Sequence, residues 1–218
     1  MRIRQHVNPL RLEYSAPHGR AIELPVGREV EVELGCADAQ FLFERARLDP
    51  ARVEIGLEIR AELVVEVNAK ASAVGAKVTA YYTNIQTELG YLFAPGSIAR
   101  LFVNFPDPWF KKRHHKRRLV TEELVAACQT VLARGGELFF QSDVFEVALE
   151  AMAVLEAHSG EFVNRAGPWS FWKAGNPYGA RSRREEACAA EGLPVWRLMY
   201  EARQGSLAHR QLDPREVL

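Results

Sequence analysis

Short runs of β-branched and apolar residues alternate along this chain with stretches whose apolar positions recur at helical spacing. Residues 30–34 read as a strand with Val30, Val32 and Leu34 on one face, the two-residue period of a pleated chain. Residues 39–46 read as a helix, 53–59 as a second strand, 61–74 as a helix, 77–82 as a third strand and 85–93 as a helix. Residues 98–105 are nearly all apolar, which suits a central strand buried on both faces. Thr121 predicts an N-cap for a helix over 122–133, with Gly135-Gly136 as its stop. Residues 137–141 read as a fifth strand and 144–158 as a helix. From Phe162 to Arg203 the pattern predicts a turn-rich loop at 175–179 and a last strand at 195–202. Repeated strand–helix units predict an α/β fold, doubly wound around a mostly parallel sheet. Ligands bind such sheets at the carboxyl ends of the strands, so the residues that follow each strand are the candidates for chemistry.

Composition narrows the class without naming a partner. The chain has 218 residues, of which 48% are hydrophobic and 26% charged, as expected of a globular α/β domain. Residues 21–218 read as one domain preceded by an irregular arm over 1–20, where Pro9, Pro17 and Gly19 break regular structure. Arg2, Arg4 and His6 in that arm can add contacts to an acidic partner. The 28 basic and 28 acidic side chains cancel, so only local clustering can point to a partner. Cys36, Cys128 and Cys188 lie far apart, which fits neither a disulfide framework nor a zinc site and suits reduced thiols in the cytoplasm. The amino terminus lacks the apolar core of a signal peptide, and no apolar run approaches the ~20 residues of a membrane helix.

The first strand runs into Glu33-Leu34-Gly35-Cys36-Ala37-Asp38-Ala39. A glycine turn here lets backbone approach a cofactor with a helix N-terminus behind it, although Ala37 and Ala39 stand where further glycines are expected. The second strand ends on Glu58, an acid placed to accept from the hydroxyls of a ribose. Asn84 follows the third strand; its amide can pair with an adenine edge or serve as a turn residue.

The fourth strand end is the richest. It reads Asn104-Phe105-Pro106-Asp107-Pro108-Trp109-Phe110. Two prolines flank Asp107 and stiffen its backbone, while Phe105, Trp109 and Phe110 offer surfaces on which a base can stack. Six cationic side chains and two histidines follow over Lys111, Lys112, Arg113, His114, His115, Lys116, Arg117 and Arg118. On an otherwise neutral chain, that run is an electrostatic footprint for phosphates. Adjacent histidines point apart on a helix, and no third ligand stands nearby in sequence, so no metal is expected.

The segment 104–119 resembles the signature of the bacterial tRNA (guanine-N7)-methyltransferases, and the resemblance extends from Glu33 to Arg203. It implies a Rossmann-like methyltransferase fold with a seven-stranded sheet. S-adenosylmethionine is the implied cofactor, bound through Glu33, Gly35, Glu58, Asn84 and Asp107, with Asp107 also catalytic. The implied substrate is tRNA, methylated at N7 of a variable-loop guanine (position 46 of the tRNA). Lys111 and Asp143 match tRNA-contacting positions. Ser182-Arg183-Arg184-Glu185 aligns with the family's Thr-x-x-Glu substrate motif, so Ser182 and Glu185 are expected at the substrate. Asp107 or Asp143 is then positioned to read the guanine edge. Ala37 and Ala39 depart from the pattern, Ser182 replaces Thr, and Ile85 replaces a small residue.

Two other readings stay open at this level. One is a tRNA-binding homologue that has lost methyl transfer, suggested by Ala37 and Ala39. The other is a methyltransferase acting on an exocyclic amine of RNA or DNA, since such enzymes also carry an Asp or Asn before Pro at this strand end. Either a monomer or a homodimer is compatible with the sequence.

Overall fold

The computed structural model describes residues 7–10, 20–110 and 116–203. The elements run in the order β1 (Val30–Leu34), α1 (Gln40–Leu48), β2 (Val53–Glu58), α2 (Ala61–Val74), β3 (Val78–Tyr82), α3 (Ile85–Leu92), β4 (Ile98–Asn104), α4 (Glu122–Val131), β5 (Leu132–Ser142), α5 (Phe145–Ala157), β6 (Phe162–Asn164), α6 (Arg183–Glu191) and β7 (Trp196–Ala202). The strands form one seven-stranded sheet in the order β3-β2-β1-β4-β5-β7-β6. β1 through β5 pair in parallel, while β7 runs antiparallel to both β5 and β6. The chain order reverses direction between β1 and β4, the switch point where an open α/β sheet presents its ligand crevice.

Two cores sandwich the sheet. Val30, Val32 and Leu34 of β1 join Leu101 and Val103 of β4 and the buried faces of α3, α4 and α5. On the opposite face Phe102, Phe139 and Met199 pack with Phe41, Val64, Val67 and Tyr178, under α1 and α2. The Phe102 ring meets both Phe41 and Tyr178 edge-on, at centroid distances of 4.8 and 4.9 Å, an arrangement aromatic quadrupoles favour. β1 is buried along its whole length. The alternation that puts its valines on one face therefore buries Glu31 and Glu33 on the other, where charge must find partners.

Element boundaries follow the expectation closely, with three differences. Thr121 does cap α4, accepting a hydrogen bond from Leu124 N at 3.2 Å. The helix nevertheless ends at Val131, ahead of Gly135-Gly136, because Leu132 already pairs with Ile98 of β4. The glycines lie inside β5, where the register shifts between the pairs Ile98–Leu132 and Arg100–Glu137. A Cβ on Gly136 would come within 2.8 Å of Ala133 O, so the irregularity excludes a side chain there. The second and third differences are β6 and α6, absent from the periodicity reading. Ser182 Oγ accepts from Glu185 N at 3.3 Å and so caps α6. That is the side-chain half of a capping box, a local role legible in Ser-x-x-Glu.

Candidate active site

A cleft of about 520 Å³ opens over the carboxyl ends of β1, β2 and β4, within the size range of small-molecule sites. Glu33, Gly35, Glu58, Asn84, Asp107, Arg117 and Ser182 all line it. Phe105 and Trp109 also line it, as do Val7 and Pro9 from the amino-terminal arm.

Its floor is the β1–α1 turn. Gly35 sits at φ +87, and Ala37 and Ala39 at +49 and +55. Both alanines thus occupy the left-handed region, at a cost of about 1 kcal/mol or more each relative to glycine. The turn packs so closely on β2 that a Cβ at Gly56 would lie 2.4 Å from Cys36 Sγ. Gly56 is therefore required to be bare, and Glu58 two residues later is carried to the cleft on the same strand.

Glu58 is buried, and both its oxygens are engaged. Oε2 accepts from Ala37 N at 3.0 Å and Oε1 from Arg60 Nε at 2.8 Å. Hydrogen bonding to Glu58, and the charge of Asp107 beyond it, raise the pKa of the Arg60 guanidinium. Arg60 is thus paired with Glu58 at the cleft and feels the charge of Asp107, a placement no sequence pattern indicated.

Glu33 is a strongly perturbed carboxyl in the cleft. Oε1 accepts from Asn104 Nδ2 at 2.8 Å, and Oε2 is buried without any hydrogen-bond partner. Burial raises its pKa to about 8, with the charges of Asp38 and Glu58 adding to the rise and Asn104 opposing it. Such a carboxyl is poised to meet a donor or cation from a bound ligand.

Asp107 is half-buried in the segment after β4, between Phe105 at φ +50 and Trp109 at φ +41. Two non-glycine residues in the left-handed region within five positions mark local strain, which persists where surrounding structure enforces it. Arg117 lies over the Trp109 ring, 5.0 Å from guanidinium to centroid.

The remaining candidates divide between the cleft rim and positions outside it. Asn84 caps α3, accepting from Gln86 N, and donates to Pro9 O at 2.9 Å, so its amide ties the arm to the cleft rim. Arg118 is turned inward, against its expected role at phosphates. It is buried, donates to Pro108 O at 2.9 Å and pairs with Glu150. Glu185 lies outside the cleft lining, buried with Arg197, Gln141 and Asn176 as donors. Asp143 is half-buried beside the cleft and paired with Arg184, while Arg183 spans to Asp38. Lys116 is exposed. Lys111, Lys112, Arg113, His114 and His115 lie outside the described residues, as do Arg2, Arg4 and His6.

Among the described residues no group of side chains could hold a metal ion, and no described helix is long and apolar enough to cross a membrane.

The chain is similar to known proteins over most of its length. The family described as "Putative methyltransferase" matches residues 27–198. A tRNA (guanine-N(7)-)-methyltransferase of Synechococcus sp. (strain JA-3-3Ab) is 39% identical over 93% of this chain and 86% of its own length. One of the same description from Synechocystis sp. (strain ATCC 27184 / PCC 6803 / Kazusa) is 36% identical over 92% and 97%. In fold, the chain is similar to the aminoglycoside resistance methyltransferase NpmB1, with a TM-score of 0.52, 19% identity, and coverage of 80% and 87%.

Proposed function

The chain belongs to the tRNA (guanine-N7)-methyltransferases, and we infer from this that it transfers the methyl group of S-adenosylmethionine to N7 of a guanine in tRNA, with Asp107 as its catalytic carboxylate. The observation that carries the assignment of the site is the convergence of Glu33, Glu58 and Asp107, from three adjacent strands, on one cleft.

The residues present fit the cofactor. The unpartnered Oε2 of Glu33 suits a donor or cationic group. Glu58 accepts two hydrogen bonds on each oxygen, from Ala37 N and from Arg60 N, Nε and Nη2, so a ribose hydroxyl reaches it by displacing the Arg60 side chain. Ala37 and Ala39 already adopt the conformation a glycine turn would have, so the departure from glycine strains the turn without closing it. When bound, S-adenosylmethionine supplies a methyl group on a positively charged sulfur.

Guanine N7 has a lone pair and no proton, so no side chain has to act as a general base. The cleft's task is to orient N7 in line with the methyl–sulfur bond, which is catalysis by proximity. Methylation at N7 would leave positive charge on the guanine ring, and Asp107 would stabilise it there. Phe105 and Trp109 stack on the extruded base, with Arg117 held against the Trp109 ring. Asp143 faces guanine N1–H and N2–H once Arg184 is drawn off to RNA phosphate. Lys116 and the cationic residues before it hold the tRNA backbone. Ser182, on the cleft wall, contributes its hydroxyl to the substrate. Residues 21–218 form the methyltransferase domain behind the arm 1–20, the target is the variable-loop guanine, and the setting is the cytoplasm, where tRNA is modified.

Asp107→Ala is expected to keep tRNA binding nearly intact and to lose methyl transfer by about 10²-fold or more. The measurement is methyl incorporation into unmodified tRNA, followed by nucleoside mass spectrometry. Near-normal turnover in that variant, or a methyl group on an exocyclic amine, would overturn the reading.

A further inference from the structure

A row of polar side chains crosses the sheet beneath the cleft. Asn104 of β4 is the register partner of Gln141 on β5, and Gln141 of Arg197 on β7. Glu33 lies diagonally beside Asn104 on the same face, because its own partner is Phe102. The hydrogen bonds along the row are continuous. Asn104 Nδ2 donates to Glu33 Oε1 at 2.8 Å, and Asn104 Oδ1 accepts from Gln141 Nε2 at 2.9 Å. The same Gln141 nitrogen donates to Glu185 Oε2 at 3.0 Å, while Gln141 Oε1 accepts from Arg197 Nε at 3.1 Å. Arg197 Nη2 donates to Glu185 Oε1 at 2.9 Å, and Asn176 Nδ2 to Glu185 Oε2 at 2.8 Å. Gln141 is 0% exposed and Glu185 4%, so water cannot repair a mismatch.

On the same reading of the cleft as a cofactor site, we propose that Gln141 and Asn104 are positioning residues through which the buried carboxylate of Glu185 dictates the hydrogen-bonding face shown to Glu33. The reason is polarity. A carboxylate only accepts, and a guanidinium only donates. Glu185 therefore requires the NH2 end of Gln141, and Arg197 requires its oxygen. That orientation presents a donor to Asn104, whose oxygen must turn towards it and whose NH2 is left for Glu33. Reversing either amide sets two donors or two acceptors against each other in a buried site, where each unmet group is costly. One atom of the row has no partner, Glu33 Oε2, and Glu33 lines the cleft. Glu185, outside the cleft, thus acts on the cofactor through two amides, and the C-terminal substrate segment is tied to the cofactor carboxylate.

Glu185→Gln is the sharpest test, because it keeps shape and replaces an acceptor by a donor. S-adenosylhomocysteine, the demethylated and unreactive form, serves as the calorimetric probe without tRNA. Wild type binds it. Glu185→Gln and Gln141→Met each weaken it about tenfold, the worth of roughly one buried hydrogen bond. The double variant is no weaker than the worse single one, since both break one chain. Unchanged affinity in Glu185→Gln, or multiplied losses in the double variant, overturns the proposal. A wild-type chain that does not bind the probe overturns the reading of the cleft instead. Should a variant lose its cooperative melt, the unaltered protein decides: titrating the probe must shift the side-chain amide resonances of Gln141, and unmoved resonances refute the chain.

Discussion

Glu33 shows how far one residue's surroundings can alter its chemistry. In the sequence it is an acid before a turn. In the fold it is fully enclosed, accepts one hydrogen bond and lies near Asp38 and Glu58, so that its pKa rises to about 8. At pH 7 the free protein therefore holds it mostly protonated. A cationic ligand stabilises the ionised form, so binding expels a proton in the window between its lowered bound value and about pH 8. Calorimetric titrations of S-adenosylmethionine in buffers of different ionisation enthalpy should show net proton release at pH 7 that vanishes above pH 9. Equal heats in all buffers at pH 7 would refute this role for Glu33. Ala37 and Ala39 show the converse: their left-handed backbone retains the geometry that glycine would otherwise supply, at a local cost in strain.

At the level of elements, the segment leaving β4 combines rigidity with display. Phe105 and Trp109 hold positive φ on either side of Asp107, and the prolines limit the alternatives. The three described cations that follow divide by environment. Lys116 is exposed, Arg117 covers Trp109, and Arg118 anchors Pro108 and Glu150. Lys116→Ala is expected to weaken tRNA binding and to lower the slope of log affinity against log salt by about 1. Arg118→Ala should leave that slope unchanged and instead cost about 1–3 kcal/mol of stability, since the half-buried Pro108 carbonyl loses its donor and Glu150 its partner. Salt titrations and urea melts of the two variants separate the roles, and a reduced slope in Arg118→Ala would contradict the inward assignment.

Across the whole molecule, the face of the sheet that carries the cleft is layered. An apolar row of Phe102, Phe139 and Met199 separates the polar row under the cleft from a second polar row at Glu31, Arg100 and Glu137. In the second row, burial works to raise the pKa of Glu31, but the paired Arg45 and Arg100 outweigh it and hold it low. Arg45 also donates to Tyr178 O at 2.8 Å, which fastens the 175–179 loop to α1. Glu54 is buried beside Glu31 with neither oxygen meeting a donor. Burial and the Glu31 charge raise its pKa to about 9, so it carries a proton at neutral pH and can donate it to Glu31. A raised native pKa means that the folded chain binds more protons than the unfolded one between about pH 4.5 and 9, so stability falls as pH rises through that window. Glu54→Gln keeps a donor and cannot titrate. Relative to it, the parent should lose about 2 kcal/mol more between pH 7 and pH 9, measured by urea melts at both pH values. Parallel pH dependence in the two proteins would refute a protonated Glu54.

The parallel sheet, its central β4 and the chemistry-bearing strand ends were all legible in the sequence, because hydrophobic period and turn residues are local properties of the chain. Glu58 and Asp107 could be picked out because one closes β2, the other follows β4, and a doubly wound sheet displays those ends; Glu33, inside β1, came only with the family resemblance. Helix α6 escaped although Ser-x-x-Glu is a cap signal, since its polar turns show little apolar period. What only the tertiary structure decided are the partners: Arg60 with Glu58, Arg118 with Pro108 and Glu150, and Glu185 with Gln141. Glu150 and Glu185 reach partners 32 and 44 residues away, and even Arg60, two residues from Glu58, is turned to it by the shape of the cleft rather than by its place in the sequence. Whether a charged side chain meets solvent, RNA or a buried amide is set by that lateral packing, which strand register and burial determine and residue type alone does not.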